Sequence, residues 1–333
     1  MKKISGYTTT RNCLKMDYPF IDSIRSMSLF CDEIIVLDYS DKNDETIEAL
    51  KQLRKELPML RLYHVDIDLN APNFGVYDGI LKAAARKKCN YEFLWQFDVD
   101  EVVNESDGKR LKKFIFDMEQ KGIFESTSLV AFPIIDFWGK NNKIRLDTNP
   151  FKPRLSKNIP NITHGIPVQL RKIVNGVLYA KQGTDGCDYI DENSGEPILC
   201  LVPDFTQEIV ELKRKAMFDY EARMKYQEWF NKYIEIYPSI FHYSWYDIER
   251  KLKNYKMFWS NSWCTLYGEK KRTMVFNNKD WDNITDEEIK NRARELEEIG
   301  GWIFHKEWNG EKTGWISLVN NKELPKLSSW NII

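Results

Sequence analysis

The strongest constraint on the fold lies in the first hundred residues, where short apolar runs of strand length alternate with segments of helical spacing. Glu33-Ile34-Ile35-Val36-Leu37-Asp38 is a continuous apolar run closed by a polar loop, the pattern of a strand buried on both faces. Lys3 to Tyr7 reads as a shorter strand ending in a Thr-rich turn, Leu60 to Val65 as a third strand and Tyr91 to Phe97 as a fourth. Between them, Ile21 to Leu29 has apolar residues at helical spacing, with Asp17 as its cap and Pro19 in its first turn. Asp44 to Lys55 is a helix stopped by Pro58, and Tyr77 to Lys88 is a further helix. This βαβαβαβ order predicts an α/β fold: a mostly parallel central sheet flanked by helices on both faces.

A chain of 333 residues is long enough for one large or two modest domains. After Lys121 the pattern changes. Ser128 to Phe137 reads as a strand, and a Gly/Asn/Pro-rich stretch to Pro167 as a long functional loop with short strands. Gln207 to Ile236 reads as one long charged helix, Trp245 to Cys264 as an aromatic-rich helix and Asp286 to Ile299 as another. The boundary is expected near 245, with a main domain over 1–245 and a helical, aromatic-rich extension over 246–333.

Composition excludes several classes. A net charge of -1 supplies no basic surplus for nucleic acid, so none is expected as a partner. The start turns polar too early for a secretory leader, and no apolar run approaches the ~18–20 residues that cross a bilayer. The expected location is the cytoplasm, with the inner face of the membrane as a variant of it. The six cysteines include no C-x-x-C pair, which argues for reduced thiols rather than a zinc cage or a disulfide framework.

In parallel sheets ligands gather at the carboxyl ends of the strands. Here those ends read Thr8-Thr9-Thr10-Arg11-Asn12, Asp38-Tyr39-Ser40-Asp41, Asp66-Ile67-Asp68 and Asp98-Val99-Asp100-Glu101. No G-x-G-x-x-G follows the first strand and no P-loop occurs anywhere, so neither a dinucleotide site nor a P-loop phosphate site is expected. Asp98 and Asp100 stand two apart at a strand end, where both can point to one side. Carboxylates so close repel unless a cation compensates them. A divalent ion bridging a diphosphate is the natural compensation, because Mg²⁺ and Mn²⁺ take one or two carboxylates plus phosphate oxygens. An EF-hand is excluded because the required Gly and distal Glu are missing.

The order Ile4-Ser5-Gly6-Tyr7, Asp32-Glu33-Ile34-Ile35-Val36-Leu37-Asp38 and Trp95-Gln96-Phe97-Asp98-Val99-Asp100-Glu101 resembles the family-two glycosyltransferases of the GT-A fold. The resemblance is nearest to a bacterial branch with a D-x-D-E metal motif that includes lipopolysaccharide-core glucosyltransferases. It covers roughly the first hundred residues, and short motifs beyond. It implies that Asp38 contacts the base, that Thr8, Thr9 and Arg11 hold the nucleotide, and that Asp98 and Asp100 bind ribose and metal. Phe241-His242-Tyr243-Ser244-Trp245 resembles a late segment of related transferases, which adds His242 to the metal shell. The family's D-G-S-T-D after the second strand is Asp38-Tyr39-Ser40-Asp41 here, without its Gly, and its A-R-N is replaced around Gly75 to Gly79.

Inverting transfer needs a base for the acceptor hydroxyl. Analogy puts it in Gly183-Thr184-Asp185-Gly186-Cys187-Asp188, with Asp188 preferred over Asp185 and Asp136 as a third candidate. His164, Arg154 and Lys152 are candidates for contacting acceptor or phosphate. His64 and His305 read as structural. The helix Glu249 to Trp263 is a candidate for peripheral membrane contact. The expected function is metal-dependent transfer of a sugar, with inversion, from a nucleoside-diphosphate donor (UDP expected) to a glycan or lipid-linked acceptor, with Mn²⁺ or Mg²⁺ as cofactor. The rival readings are a nucleotidyltransferase on a similar sheet and a non-catalytic carbohydrate-binding protein.

Overall fold

A computed structural model describes residues 2–67, 77–140, 143–174, 177–180, 186–259, 272–276, 279–299, 315–317, 322–325 and 327–328. The first half follows the alternation in the sequence: β1 (Ile4–Thr10), α1 (Phe20–Met27), β2 (Glu33–Asp38), α2 (Thr46–Glu56), β3 (Leu60–His64), α3 (Tyr77–Arg86) and β4 (Phe93–Gln96). The strands lie in the order β3-β2-β1-β4 and all pair in parallel. β1 runs on beyond Tyr7 because Thr8, Thr9 and Thr10 keep pairing with Val36, Leu37 and Asp38, and β-branched side chains suit that extended backbone.

Strand side chains alternate between the two faces. Ile4, Ile34, Val36, Trp95 and Phe97 face one way and pack against Phe20, Ile24 and Met27 of α1 and Leu50 and Leu53 of α2. Tyr7, Ile35, Leu37 and Leu94 face the other way, against Leu81 and Ala85 of α3. The expected α/β class, a mostly parallel central sheet with helices on both faces, is the observed one.

Beyond β4 the sheet continues with antiparallel partners. After the short β5 (Glu101–Val102), α4 (Glu105–Gln120) and the single turn α5 (Ile123–Ser126) lead to β6 (Leu129–Trp138). The side chain of Asn104 caps α4 by accepting the Asp107 N–H at 2.7 Å, and Leu111, Ile115 and Met118 lay its apolar stripe on the core under α1. β7 (Lys143–Arg145), β8 (Phe151–Lys157) and β9 (Ile162–Gly165) are the short strands expected before Pro167. β8 pairs antiparallel with both β4 and β6. After the β10 (Arg171–Val174) and β11 (Val177–Ala180) hairpin, β12 (Asp188–Asp191) pairs with β9.

The later helices differ from the sequence reading. Gln207 to Ile236 is two helices, α6 (Gln207–Ala216) and α7 (Tyr220–Ile236), because Asp219 starts a new one by accepting the Ala222 N–H at 2.7 Å. Trp245, expected to open the aromatic helix, is instead the last residue of β13 (Ile240–Trp245), which is parallel to β6 and antiparallel to β5. α8 (Ile248–Asn254) begins only after Asp247 caps it, and it passes into a π-helical turn at Tyr255–Trp259; 260–264 lie outside the described residues. At α1, Pro19 occupies the cap position, and Asp17 sits in a turn with φ +52°. α9 (Asp286–Ile299) matches its expected span. Among the described residues, no helix is long and apolar enough to cross a membrane.

One close approach sets where β12 can lie. A Cβ on Gly79, in the first turn of α3, would stand 2.0 Å from the Gly186 carbonyl oxygen. Gly→Ala inside a helix ordinarily stabilises by about 1 kcal/mol. Here Gly79→Ala is expected to destabilise by about 1–3 kcal/mol, since backbone must give way. Urea denaturation of both chains checks the sign, and a stabilised variant contradicts the packing.

Candidate active site

The carboxyl ends of β1, β2 and β4 open into a cleft of about 280 Å³. β1 and its loop supply Thr9 and Arg11, the loop after β2 supplies Tyr39, and α3 supplies Asp78 and Lys82. Asp98 and Asp100 come from the turn after β4, Lys152 from β8, His242 and Ser244 from β13, and Lys251 from α8.

The turn carrying the two aspartates is fixed from below by Arg154 of β8. Its buried guanidinium bonds Glu101 through Nε at 2.8 Å and again through Nη2, reaches Asp98 Oδ2 at 2.8 Å, and also bonds the Gln96 side chain. Glu101 is fully buried and takes a further bond from Lys152 Nζ at 3.1 Å. Asp98 Oδ1 accepts from Lys82 Nζ at 2.7 Å and Gln96 Nε2 at 3.1 Å. Burial by itself would raise the Asp98 pKa; Lys82, Arg154 and Lys152 outweigh it and hold the carboxyl well below its ordinary range. Asp98 is therefore a carboxylate held between cations.

Asp100 has a different neighbour. Its Oδ1 lies 3.5 Å from His242 Nε2, while His242 Nδ1 donates to Asp136 Oδ1 at 2.8 Å. Arg145 approaches the other Asp136 oxygen at 3.5 Å. The register explains the meeting, because β13 places His242 opposite both Glu101 of β5 and Asp136 of β6. Burial and nearby Lys152 would depress the imidazole, but Asp136 and Asp100 raise it to about 9. Burial likewise works against both carboxylates, and His242 keeps each well below the ordinary range. A carboxylate on Nδ1 that turns Nε2 toward a second carboxylate in a cleft is the arrangement that orients a metal-binding imidazole. Among the described residues no three His, Cys, Asp or Glu side chains converge as a complete metal cage. The donor set suits an ion that takes two protein ligands and draws the rest from phosphate or water.

The other expected residues are divided between the cleft and the interior. Thr8 is buried and donates to the Phe97 carbonyl at 2.8 Å. Asp38 is fully buried, accepting from Thr10 and Ser40 hydroxyls at 2.8 and 2.7 Å and from His64 Nδ1 at 2.8 Å. Neither lines the cleft. His64, read as structural, is half of a pair that ties β3 to the end of β2. Thr9 faces the cleft and donates to Asp78 Oδ1 at 2.6 Å; Arg11 also faces it, with its guanidinium 5.9 Å from the Tyr39 ring centre. His164 is spent structurally, bonding the Tyr7 hydroxyl at 2.7 Å through Nε2 and the Cys187 carbonyl at 2.8 Å through Nδ1. Asp185 and His305 lie outside the described residues.

A second hollow, of about 430 Å³, adjoins the first. Lys82, Asp98 and Lys152 line both. Its own walls include Pro153, Pro167, Tyr189, Pro197 and Ile198, with Asp188 of β12 exposed at its side. The residues that the sequence reading passed over are Lys82 and Asp78. Their i, i+4 spacing on a helix was the available signal, and Nζ lies 2.9 Å from Asp78 Oδ2.

No family model matches the chain, and no curated protein matches it in sequence. Among solved structures it is similar to residues 1–349 of S. aureus TarS, with TM-score 0.35 and 14% identity over 90% of this chain and 93% of that one. Against a longer S. aureus TarS structure the match has TM-score 0.32 and 16% identity, over 47% of this chain and 28% of that one. The chain thus spans under a third of that protein's length. It is also similar to the mannosyltransferase PcManGT from Pyrobaculum calidifontis in complex with GDP-Man and Mn²⁺, with TM-score 0.31 and 12% identity over 47% and 44% of the two chains. Likenesses so remote do not carry over ligands or chemistry.

His164 makes the protein acid-sensitive. Burial lowers its pKa from 6.5 to about 3, so between those values the unfolded chain binds a proton that the folded chain does not. The neutral imidazole's stabilisation is complete above pH 6.5 and falls, by up to about 1.4 kcal/mol per pH unit, toward pH 3. Urea unfolding at pH 7 and pH 4.5 should show a smaller acid loss in His164→Gln than in the native chain. Equal losses contradict this assignment.

Proposed function

We propose that the protein is a GT-A-type glycosyltransferase that moves a sugar from a nucleoside-diphosphate donor to an acceptor hydroxyl. The observation that carries this reading is the pair of adjoining hollows sharing Lys82, Asp98 and Lys152. A group transfer between two substrates needs two sites that meet at one reacting centre. The first hollow takes the donor. Arg11 and Tyr39 lie on the nucleotide side, with UDP as the proposed nucleotide, and Asp100 and His242 lie where the diphosphate turns.

Asp100 and His242 are the residues that would hold a divalent ion, with Asp136 fixing the imidazole from behind. Such an ion, Mn²⁺ or Mg²⁺, supplies a Lewis acid for the departing diphosphate. Asp98 acts through its partners: bonded to Lys82 and Arg154, it keeps the turn in place and positions Lys82 between the hollows. The second hollow takes the acceptor, a glycan or lipid-linked sugar, against its proline-rich wall.

Asp188 is the proposed base. The acceptor oxygen attacks the anomeric carbon, the carbon–oxygen bond to the diphosphate breaks with inversion, and the hydroxyl proton passes to the Asp188 carboxylate. Asp136 is unsuited to that role, because His242 and Arg145 occupy it.

A thermal-shift screen of nucleotide sugars with Mn²⁺ tests the reading, because a ligand bound by the native state stabilises it by about 2.7 kcal/mol at a hundred times its Kd. A UDP-sugar should raise Tm in the native chain and in Asp188→Asn alike. Transfer by Asp188→Asn should fall about 100–10,000-fold, the usual weight of a general base. No shift with any nucleotide sugar contradicts the reading.

A further inference from the structure

We propose that Lys251 of α8 grips the terminal phosphate of the nucleoside diphosphate and stabilises it as the leaving group. This rests on the donor reading above and adds to it a residue from the region expected to be a separate helical extension.

α8 is held rigidly beside the cleft. Asp247 caps it by accepting the Arg250 N–H at 2.9 Å. Arg250 donates to the Tyr243 carbonyl at 2.8 Å and also to the Asp17 carbonyl, and Asn254 donates to the Met16 carbonyl at 2.9 Å. The helix is thereby tied both to β13 and to the loop that follows β1. On such a mount a side chain can be placed accurately for a ligand.

The Lys251 ammonium differs from the other lysines of the cleft. Lys82 and Lys152 each meet carboxylates. Lys251 Nζ donates to the Ser244 hydroxyl at 2.6 Å and lies 5.8 and 5.4 Å from the Trp245 and Tyr255 ring centres. Among the described residues no carboxylate comes within 4.0 Å of it. An ammonium has three donors; the Ser244 hydroxyl takes one by hydrogen bond, while the ring faces act on the charge as a whole, which leaves donors for an anion in the hollow it shares with Asp100 and His242. Burial moves its pKa down to about 8 although Asp100 pulls the other way; an arriving phosphate would restore the fully charged form.

When the carbon–oxygen bond breaks, its electron pair goes to the oxygen of the terminal phosphate, and the new charge meets the Lys251 ammonium. No proton needs to reach the leaving group. A cation aimed at charge that develops only as the bond breaks lowers the barrier more than it tightens binding.

Titration calorimetry with UDP, UMP, GDP and GMP on the native chain, Lys251→Met and Lys251→Arg tests the assignment. Loss of one charge-assisted contact is expected to weaken the diphosphate about 10–100-fold. Monophosphate affinity should stay within about two-fold, which also shows that the variant is folded, and Lys251→Arg should recover part of the loss. Steady-state transfer should lose more in kcat than in KM. A Lys251→Met chain that binds the diphosphate as tightly as the native chain overturns the inference while leaving the donor site standing. A native chain that binds none of the four nucleotides overturns the donor reading and this inference with it.

Discussion

The Arg154 guanidinium is the contact on which the rest of the cleft depends. It stands buried at the crossing of β8 with β4 and bonds Gln96, Asp98 and Glu101 together. Glu101 has no exposed surface. A buried carboxylate stripped of its partner costs about 3–5 kcal/mol, so this turn keeps its shape only while Arg154 stays in place. The turn closes on itself as well, with the Glu101 N–H on the Asp98 carbonyl at 3.0 Å. Asp100, itself buried, is left as the member that meets the cleft beside His242. The acidic run therefore divides its labour: Glu101 and Asp98 are held by cations, and Asp100 faces the imidazole.

β13 completes the arrangement from far along the chain. By pairing with β5 and β6 at once it sets His242 between Asp136 and Asp100. The Tyr243 N–H bonds the Asp100 backbone carbonyl at 2.8 Å, so strand and turn are registered to one another by backbone as well as side chain. Trp138 stacks on Trp245 at 5.2 Å where β6 and β13 end, and α8 sets out from that point with Lys251. The charges at the cleft floor thus come from distant parts of the sequence, positioned by one continuous sheet together with α3 and α8.

The parallel half of the fold was legible because its strands are short, apolar and closed by polar loops, and strands buried on both faces need little else. Helix α4 was not legible as such. Its first turn, Glu105-Ser106-Asp107-Gly108, is polar and holds a Gly, and its stripe of Leu111, Ile115 and Met118 starts only later. The break at Asp219 was hidden because one Asp inside a charged segment does not announce a cap. In the site, the D-x-D turn and His242 were legible as residue types, whereas their pairing was not, because Arg154 and Asp136 meet them only through sheet register. Asp38 shows the limit well. Side-chain alternation put it on the same face as Ile34 and Val36, toward α1 and α2, while Thr9 and Asp98 face α3 and the cleft. Alternation was readable from the sequence; which face opens was not.

The central claim is that a nucleoside diphosphate lies in the first hollow, its phosphates between Asp100, His242 and Lys251. A crystal structure of the protein grown with UDP and Mn²⁺ addresses it most directly. The account predicts diphosphate density against those three residues, with the ion touching Asp100 and His242 and the uracil ring on the Arg11 and Tyr39 side. Nucleotide seated in the second hollow, or away from the carboxyl ends of the strands, contradicts it.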